Sequence, residues 1–193
     1  FNGTNNTITL TTSLTPVLGV GGATFSFWIK TDATIDGGLS YNCSAFFGDE
    51  IGGNGDSFWG VLDAGKVGMK AGDGAAIMSN SAITNDSWRY VALTRNASDG
   101  FVQVFVDGTL DSSGWSQAGN ITGNALTILG RNQDGATNGG HVVGIFDEVR
   151  AMTGASSSDW IWACWMNQFS NLVFNSYGNV ISAVPVGSVI MIK

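Results

Sequence analysis

Few side chains in this sequence could drive a reaction. Of its 15 acidic residues only Glu50 and Glu148 are glutamates, and His141 is its one histidine. A retaining glycosidase needs two carboxyl groups about 5 Å apart. Neither glutamate has a second one nearby, and strand alternation sends Asp147 and Glu148 to opposite faces. A serine or cysteine hydrolase needs a histidine base. His141 lies in Gly139-Gly-His-Val-Val-Gly144 with no serine or cysteine motif beside it, as a strand-end histidine would. A lyase would gather tyrosine or histidine with neutralising cations, and no such concentration occurs. The expectation is a protein that binds and does not catalyse.

Binding chemistry has more candidates. Calcium takes six to eight oxygens from carboxylates, amides and carbonyls. The loops 48–56 and 131–138 carry such donors, with Asp49, Asp56, Asp134 and Asn138 as the candidate ligands of a Ca2+ ion, although neither loop has EF-hand spacing. A sugar site needs an exposed aromatic platform with amide or carboxylate partners. Trp115, in Ser112-Ser-Gly-Trp-Ser-Gln117, is the leading candidate, with Trp59 and Tyr41 behind it. Cys43 and Cys164 permit one disulfide, the alternative being two buried thiols. Asn2, Asn5, Asn42, Asn85, Asn96 and Asn120 are glycosylation acceptors by pattern. With low charge and abundant Ser, Thr, Asn and Gly they favour an extracellular or cell-surface setting.

The elements that must position these groups read as an all-β protein. The chain has 193 residues, enough for one domain, with 44 % apolar, only 12 % charged and 28 glycines. Eight Lys plus Arg against fifteen Asp plus Glu give a net charge of −7 without a basic cluster, which excludes nucleic acid. No window approaches the roughly 18 apolar residues of a membrane span. Strand-like runs recur at 7–12, 24–31, 57–62, 88–95, 101–106, 125–130 and 141–151, as in a sandwich. The clearest hairpin joins 88–95 to 101–106 through Asn96-Ala-Ser-Asp-Gly100. Asp107-Gly108 turns the chain again. In Phe25-Ser-Phe-Trp-Ile-Lys30, Phe25, Phe27 and Ile29 share a core face, leaving Trp28 to cover something on the other. Ser156-x-x-Asp159 has capping-box form and opens a helix near 157–168. Trp160, Ile161, Cys164 and Trp165 form its docking face, with Trp162 and Met166 opposite.

Six blocks now carry a resemblance: Phe1-Asn-Gly-Thr-Asn-Asn6, Phe25-Ser-Phe-Trp-Ile-Lys30, Trp88-Arg-Tyr-Val-Ala-Leu-Thr-Arg95, Phe105-Val-Asp-Gly108, Leu126-Thr-Ile-Leu-Gly-Arg131 and Gly144-Ile-Phe-Asp-Glu-Val-Arg150. In this order they resemble a concanavalin A-like, laminin G-type (LamG-like) domain of bacterial secreted proteins, over about residues 1–178. The resemblance implies a two-sheet antiparallel jelly-roll sandwich, its first and last strands paired, with one short C-terminal helix and an extended β-prone tail. It also implies that Trp28 and Trp88 pack in the core, that Arg150 is held by carboxylates, and that calcium is a common ligand. Asn2, Asn5 and Asn6 stand where relatives often have aspartates. The fold hosts lectins, adhesins, glucanases, lyases and scaffolding modules, so function stays open.

Residues 179–193 follow as a separate tail. Pro185 and Gly187 disfavour helix, and Val189-Ile-Met-Ile192 is apolar on both faces. The tail could complete its own sandwich, lead to a further domain, or add a strand to a neighbour. In the last case Trp162, Met166, Val184, Val186, Val189, Ile190, Met191 and Ile192 form the interface of a self-assembling filament subunit. The overall expectation is a processed, soluble, non-catalytic extracellular structural or adhesive module that associates with itself or with neighbouring extracellular proteins. The alternative is a carbohydrate-binding, lectin-like module, calcium-dependent in one version.

Overall fold

The structure is a computed structural model, and it describes residues 1–34, 43–50, 55–123, 125–134 and 140–175. In chain order the described elements are β1 (Ile8–Thr9), α1 (Thr15–Leu18), β2 (Gly22–Lys30), β3 (Ser44–Glu50), β4 (Ser57–Asp63), β5 (Lys66–Ala71), β6 (Ile77–Met78), β7 (Arg89–Asn96), β8 (Phe101–Val106), β9 (Thr109–Trp115), β10 (Ile128–Leu129), β11 (Arg131–Asp134), β12 (Ile145–Thr153), α2 (Ser158–Phe169) and α3 (Asn171–Phe174). They form two sheets. One has the order β1-β10-β3-β4-β5-β6, with β11 running parallel to β3, and the other has the order β12-β2-β7-β8-β9. The first long strand therefore pairs with the last, β2 against β12.

Alternation explains the core. Phe25, Phe27 and Ile29 of β2, Val91 and Leu93 of β7, and Val102 and Val104 of β8 point inward, fully buried against Phe46, Phe47 and Trp59 of the other sheet. The hairpin from β7 to β8 has the expected register, Asn96 opposite Phe101, and Gly100 supplies a φ of 75°. Asp107 and Gly108, at φ 49° and 75°, make the next tight turn. β3, β5, β6, β9 and β11 are strands that the sequence pattern did not mark. β3 and β5 contain Gly48 and Gly68 in their interiors, and β9 reads Thr-Leu-Asp-Ser-Ser-Gly-Trp, polar for an exposed edge.

Tyr90 and Ala92 of β7 and Phe105 of β8 face outward, and they are buried all the same because α2 lies across them with Ile161, Cys164 and Trp165. Helix α2 begins one residue later than the capping pattern suggests. Ser157 is the cap, its Oγ accepting from the Trp160 N–H, while the Ser156 N–H donates to Thr24 Oγ1. Trp160, placed by periodicity on the docking face, is instead 56 % exposed, because the helix docks through a narrower stripe. On the opposite face Trp162 meets Phe174 of α3 edge-to-face at 5.7 Å, and Met166 is half-buried.

The expected disulfide is not formed. Cys43 packs with Ala45, Phe58 and Val61 on one sheet, whereas Cys164 is on the face of α2 that packs against the outer face of the other. Both thiols are free. Among the described residues no helix is long and apolar enough to cross a membrane.

Candidate functional site

One end of the outer face of the second sheet carries a cleft of about 510 Å³, lined by Trp28, Trp88, Asp147, Glu148, Gln168 and Phe169. Three strands and a helix end supply it. Trp28 of β2 stands in register between Asp147 of β12 and Tyr90 of β7, so the three side chains share one face. Trp88 precedes β7 by one residue and is 44 % exposed. Gln168 and Phe169 end α2. The Trp28 indole N–H donates to Gln168 Oε1, tying helix to sheet, and the Phe169 ring stacks on Trp165 at 5.1 Å.

A bulge sets the position of the carboxylates. The pairing of β12 with β2 shifts between Asp147 and Arg150, and Glu148 sits at φ 50°, a left-handed conformation that costs a non-glycine residue on the order of 1 kcal/mol. Its N–H donates to Asp147 Oδ1 at 2.8 Å. The extra residue breaks alternation, so Asp147 and Glu148 line the same cleft where a regular strand would have parted them. Strained backbone of this kind gathers at functional sites. Arg150 holds Glu148 Oε2 at 2.5 Å, in keeping with the ion pair that the resemblance implied. Trp88, Gln168, Asp147 and Glu148 bring indole, amide and carboxylate groups to the lining of this cleft. An apolar ring surface is thus flanked by both donors and acceptors.

The residues named from sequence lie elsewhere. Trp115 is 66 % exposed and tilts against Phe101 at 5.1 Å, but it lies at the far corner of the same sheet, where β9 pairs with the end of β8. Trp59 is wholly buried, its Nε1 donating to Ser57 Oγ, and is a core residue with no surface for a sugar. Tyr41 lies outside the described residues. Asp49 and Asp56 come close together and are nearly buried, at 8 % and 6 % exposure. Burial, with Asp56 and Glu50 adding repulsion, pushes the Asp49 carboxyl up to about 6, against a hydrogen bond from the Ala125 backbone. The Asp134 backbone runs beside Glu50, while its side chain and Asn138 lie outside the described residues. Among the described residues no three carboxylate, histidine or cysteine side chains are grouped as a metal would need, and two of the four proposed calcium ligands lie outside them.

Val184, Val186, Val189, Ile190, Met191 and Ile192 also lie outside the described residues, as does Asn42. The acceptors Asn2, Asn5, Asn85, Asn96 and Asn120 are all exposed. His141 is held below its usual range by partial burial and by Arg131.

Sequence reasoning assigned Trp28 and Trp88 to packing and passed over Gln168 and Phe169. Trp28 was flagged only by its position on the non-core face, and nothing in a linear pattern announces a bulge.

The family follows from comparison with known proteins. A laminin G-type model described as the concanavalin A-like lectin/glucanases superfamily matches residues 2–162. The chain belongs to this superfamily. Solved structures agree on the fold. The heptameric SAP-like pentraxin of Limulus polyphemus superposes with a TM-score of 0.61 at 14 % identity, over 86 % of this chain and 79 % of its own. Domains LG4-5 of the mouse laminin alpha1 chain give 0.57 at 13 %, over 82 % and 41 %. Domain 4 of AbnA, an extracellular arabinanase from Geobacillus stearothermophilus solved with arabinotriose, gives 0.52 at 18 %, over 74 % and 66 %. No curated protein matches the sequence.

Proposed function

We propose that the protein is a non-catalytic, lectin-like module that binds carbohydrate at an extracellular or cell-surface location, through the cleft at β12 and α2. The observation carrying this reading is the composition of the cleft: exposed indole and phenyl surface beside Asp147, Glu148 and Gln168. Sugar rings present an apolar C–H face and a rim of hydroxyls, so they match a platform bordered by carboxylate and amide groups. The fold likeness to an arabinanase domain that holds arabinotriose supports the ligand class without fixing the position of the site. Asp147 and Glu148 are neighbours on one strand, and Glu148 is already engaged by Arg150, an arrangement suited to accepting hydroxyl protons and not to acid–base work across a glycosidic bond. A glycan array read with Trp88→Ala, and with Trp115→Ala as the control at the far corner, tests the assignment. Binding lost only in Trp115→Ala would move the site there, and an array with no binder would refute the reading.

Self-association is a second reading, favoured by one surface. Trp160 is 56 %, Leu172 89 % and Val173 76 % exposed on α2 and α3. Sizing the chain with and without residues 179–193 tests it: assembly lost on truncation supports a strand-linked subunit, and a monomer in both forms removes it.

A further inference from the structure

We infer that the cleft selects glycans with free, protonated amino groups, that is unacetylated hexosamines, over neutral and acidic sugars. This rests on the cleft being the glycan site. Charge pairing at this end of the sheet supports this selectivity. Lys30 pairs with Asp86 at 3.6 Å, Arg89 with Asp107 at 3.2 Å, and Arg150 with Glu148. Each of these cations is matched by a carboxylate. Asp147 has no such partner among the described residues: its Oδ1 accepts a backbone N–H, and no lysine or arginine pairs with it.

The six residues lining the cleft include two carboxylates and three aromatic rings, and none of them carries a positive charge. An ammonium group entering beside Asp147 gains a charge-assisted hydrogen bond and the attraction of the indole faces for a cation. A neutral hydroxyl gains only the weaker bond, and a uronic carboxylate meets like charge. N-acetylation removes the cation while keeping the size of the sugar, which makes it the sharpest control. The chain's net charge of −7 draws any polycation towards the surface, so the test must separate general attraction from the site.

Calorimetric titration of the full chain at pH 6 and moderate salt, with β-1,4-linked glucosamine, N-acetylglucosamine, glucose and galacturonate oligomers of equal length, provides that test. The glucosamine oligomer should bind at least about tenfold more tightly than the neutral ones, and galacturonate should not bind. The preference should fade as pH rises through roughly 8, where an amine of this type loses its proton. Asp147→Asn should bring the ratio of glucosamine to glucose affinity close to one. Trp88→Ala should abolish binding of both, and thermal melts confirm that each variant is folded. Equal, Trp88-dependent affinity for glucosamine and glucose oligomers would overturn the amine preference and leave the glycan reading standing. Glucosamine binding that survives both substitutions would reduce it to bulk charge attraction and overturn it. No binding by any oligomer would sink the glycan reading as well.

Discussion

Glu148 combines two effects that pull apart. Its left-handed backbone is strained, and that strain turns its carboxylate into the cleft. Glycine adopts φ 50° freely, so Glu148→Gly should hold or raise stability, by up to about 1 kcal/mol, while weakening ligand binding. A thermal melt beside a binding titration reads both, and a large loss of stability would mean that the Arg150 pair outweighs the strain. Asp49 offers a pH test. Its carboxyl is pushed up to about 6, so between pH 4 and 6 the folded state holds a proton that the unfolded state has released, and stability falls as pH rises through that window. Asp49→Asn removes the loss, so in EDTA it should be more stable than the parent by about 2 kcal/mol at pH 7 and equal to it below pH 4. Denaturant unfolding at both pH values checks this. Added calcium that stabilises the parent and not the variant would give Asp49 a metal role.

At the scale of elements, α2 decides whether the cleft exists. It carries Gln168 and Phe169, and it docks where the chain turns at Gly108. A Cβ on Gly108 would lie 2.8 Å from the Trp165 ring, at a φ of 75° that L-residues rarely adopt. Gly108→Ala should therefore loosen the helix from the sheet. The near-ultraviolet circular dichroism of the tryptophans should weaken and ligand affinity should fall, while the far-ultraviolet strand signal stays. Ser157→Ala removes one cap hydrogen bond, a milder cost of about 1 kcal/mol. The sequence located β2, β7, β8 and α2 to within about two residues because each is long or strongly patterned. It missed β3, β5 and β9, where interior glycines or an exposed polar edge erase the alternation.

Over the whole molecule, the two thiols report on the sandwich. Cys43 is buried and its thiol is pushed up to about 12 by that burial, while Cys164 is half-buried on the inner face of α2. In native, unreduced protein Cys43 should resist alkylation and Cys164 should react slowly. In denaturant without reductant both should label, as counted by mass spectrometry. One blocked pair would show a bond between residues that the fold holds in separate clusters, one on the first sheet and one on α2. Pairing them had looked natural because two cysteines in a secreted-type composition invite it. Which cluster each packs into is a matter of tertiary packing, and spacing along the chain carries no trace of it.

Composition and alternation were enough to determine the sandwich and the terminal helix, since these depend on which residues must leave water and on local periodicity, while the superfamily came from the resemblance of six ordered blocks to known domains. The site needed the fold. Trp28, Trp88, Asp147, Glu148, Gln168 and Phe169 come from four separated stretches of sequence. Register between β12 and β2 sets Asp147 beside Trp28, a bulge turns Glu148 into the same cleft, the start of β7 brings Trp88, and the docking of α2 supplies the last two. Each of these is a contact between distant segments, set by packing and hydrogen-bond register, and a linear pattern cannot carry it.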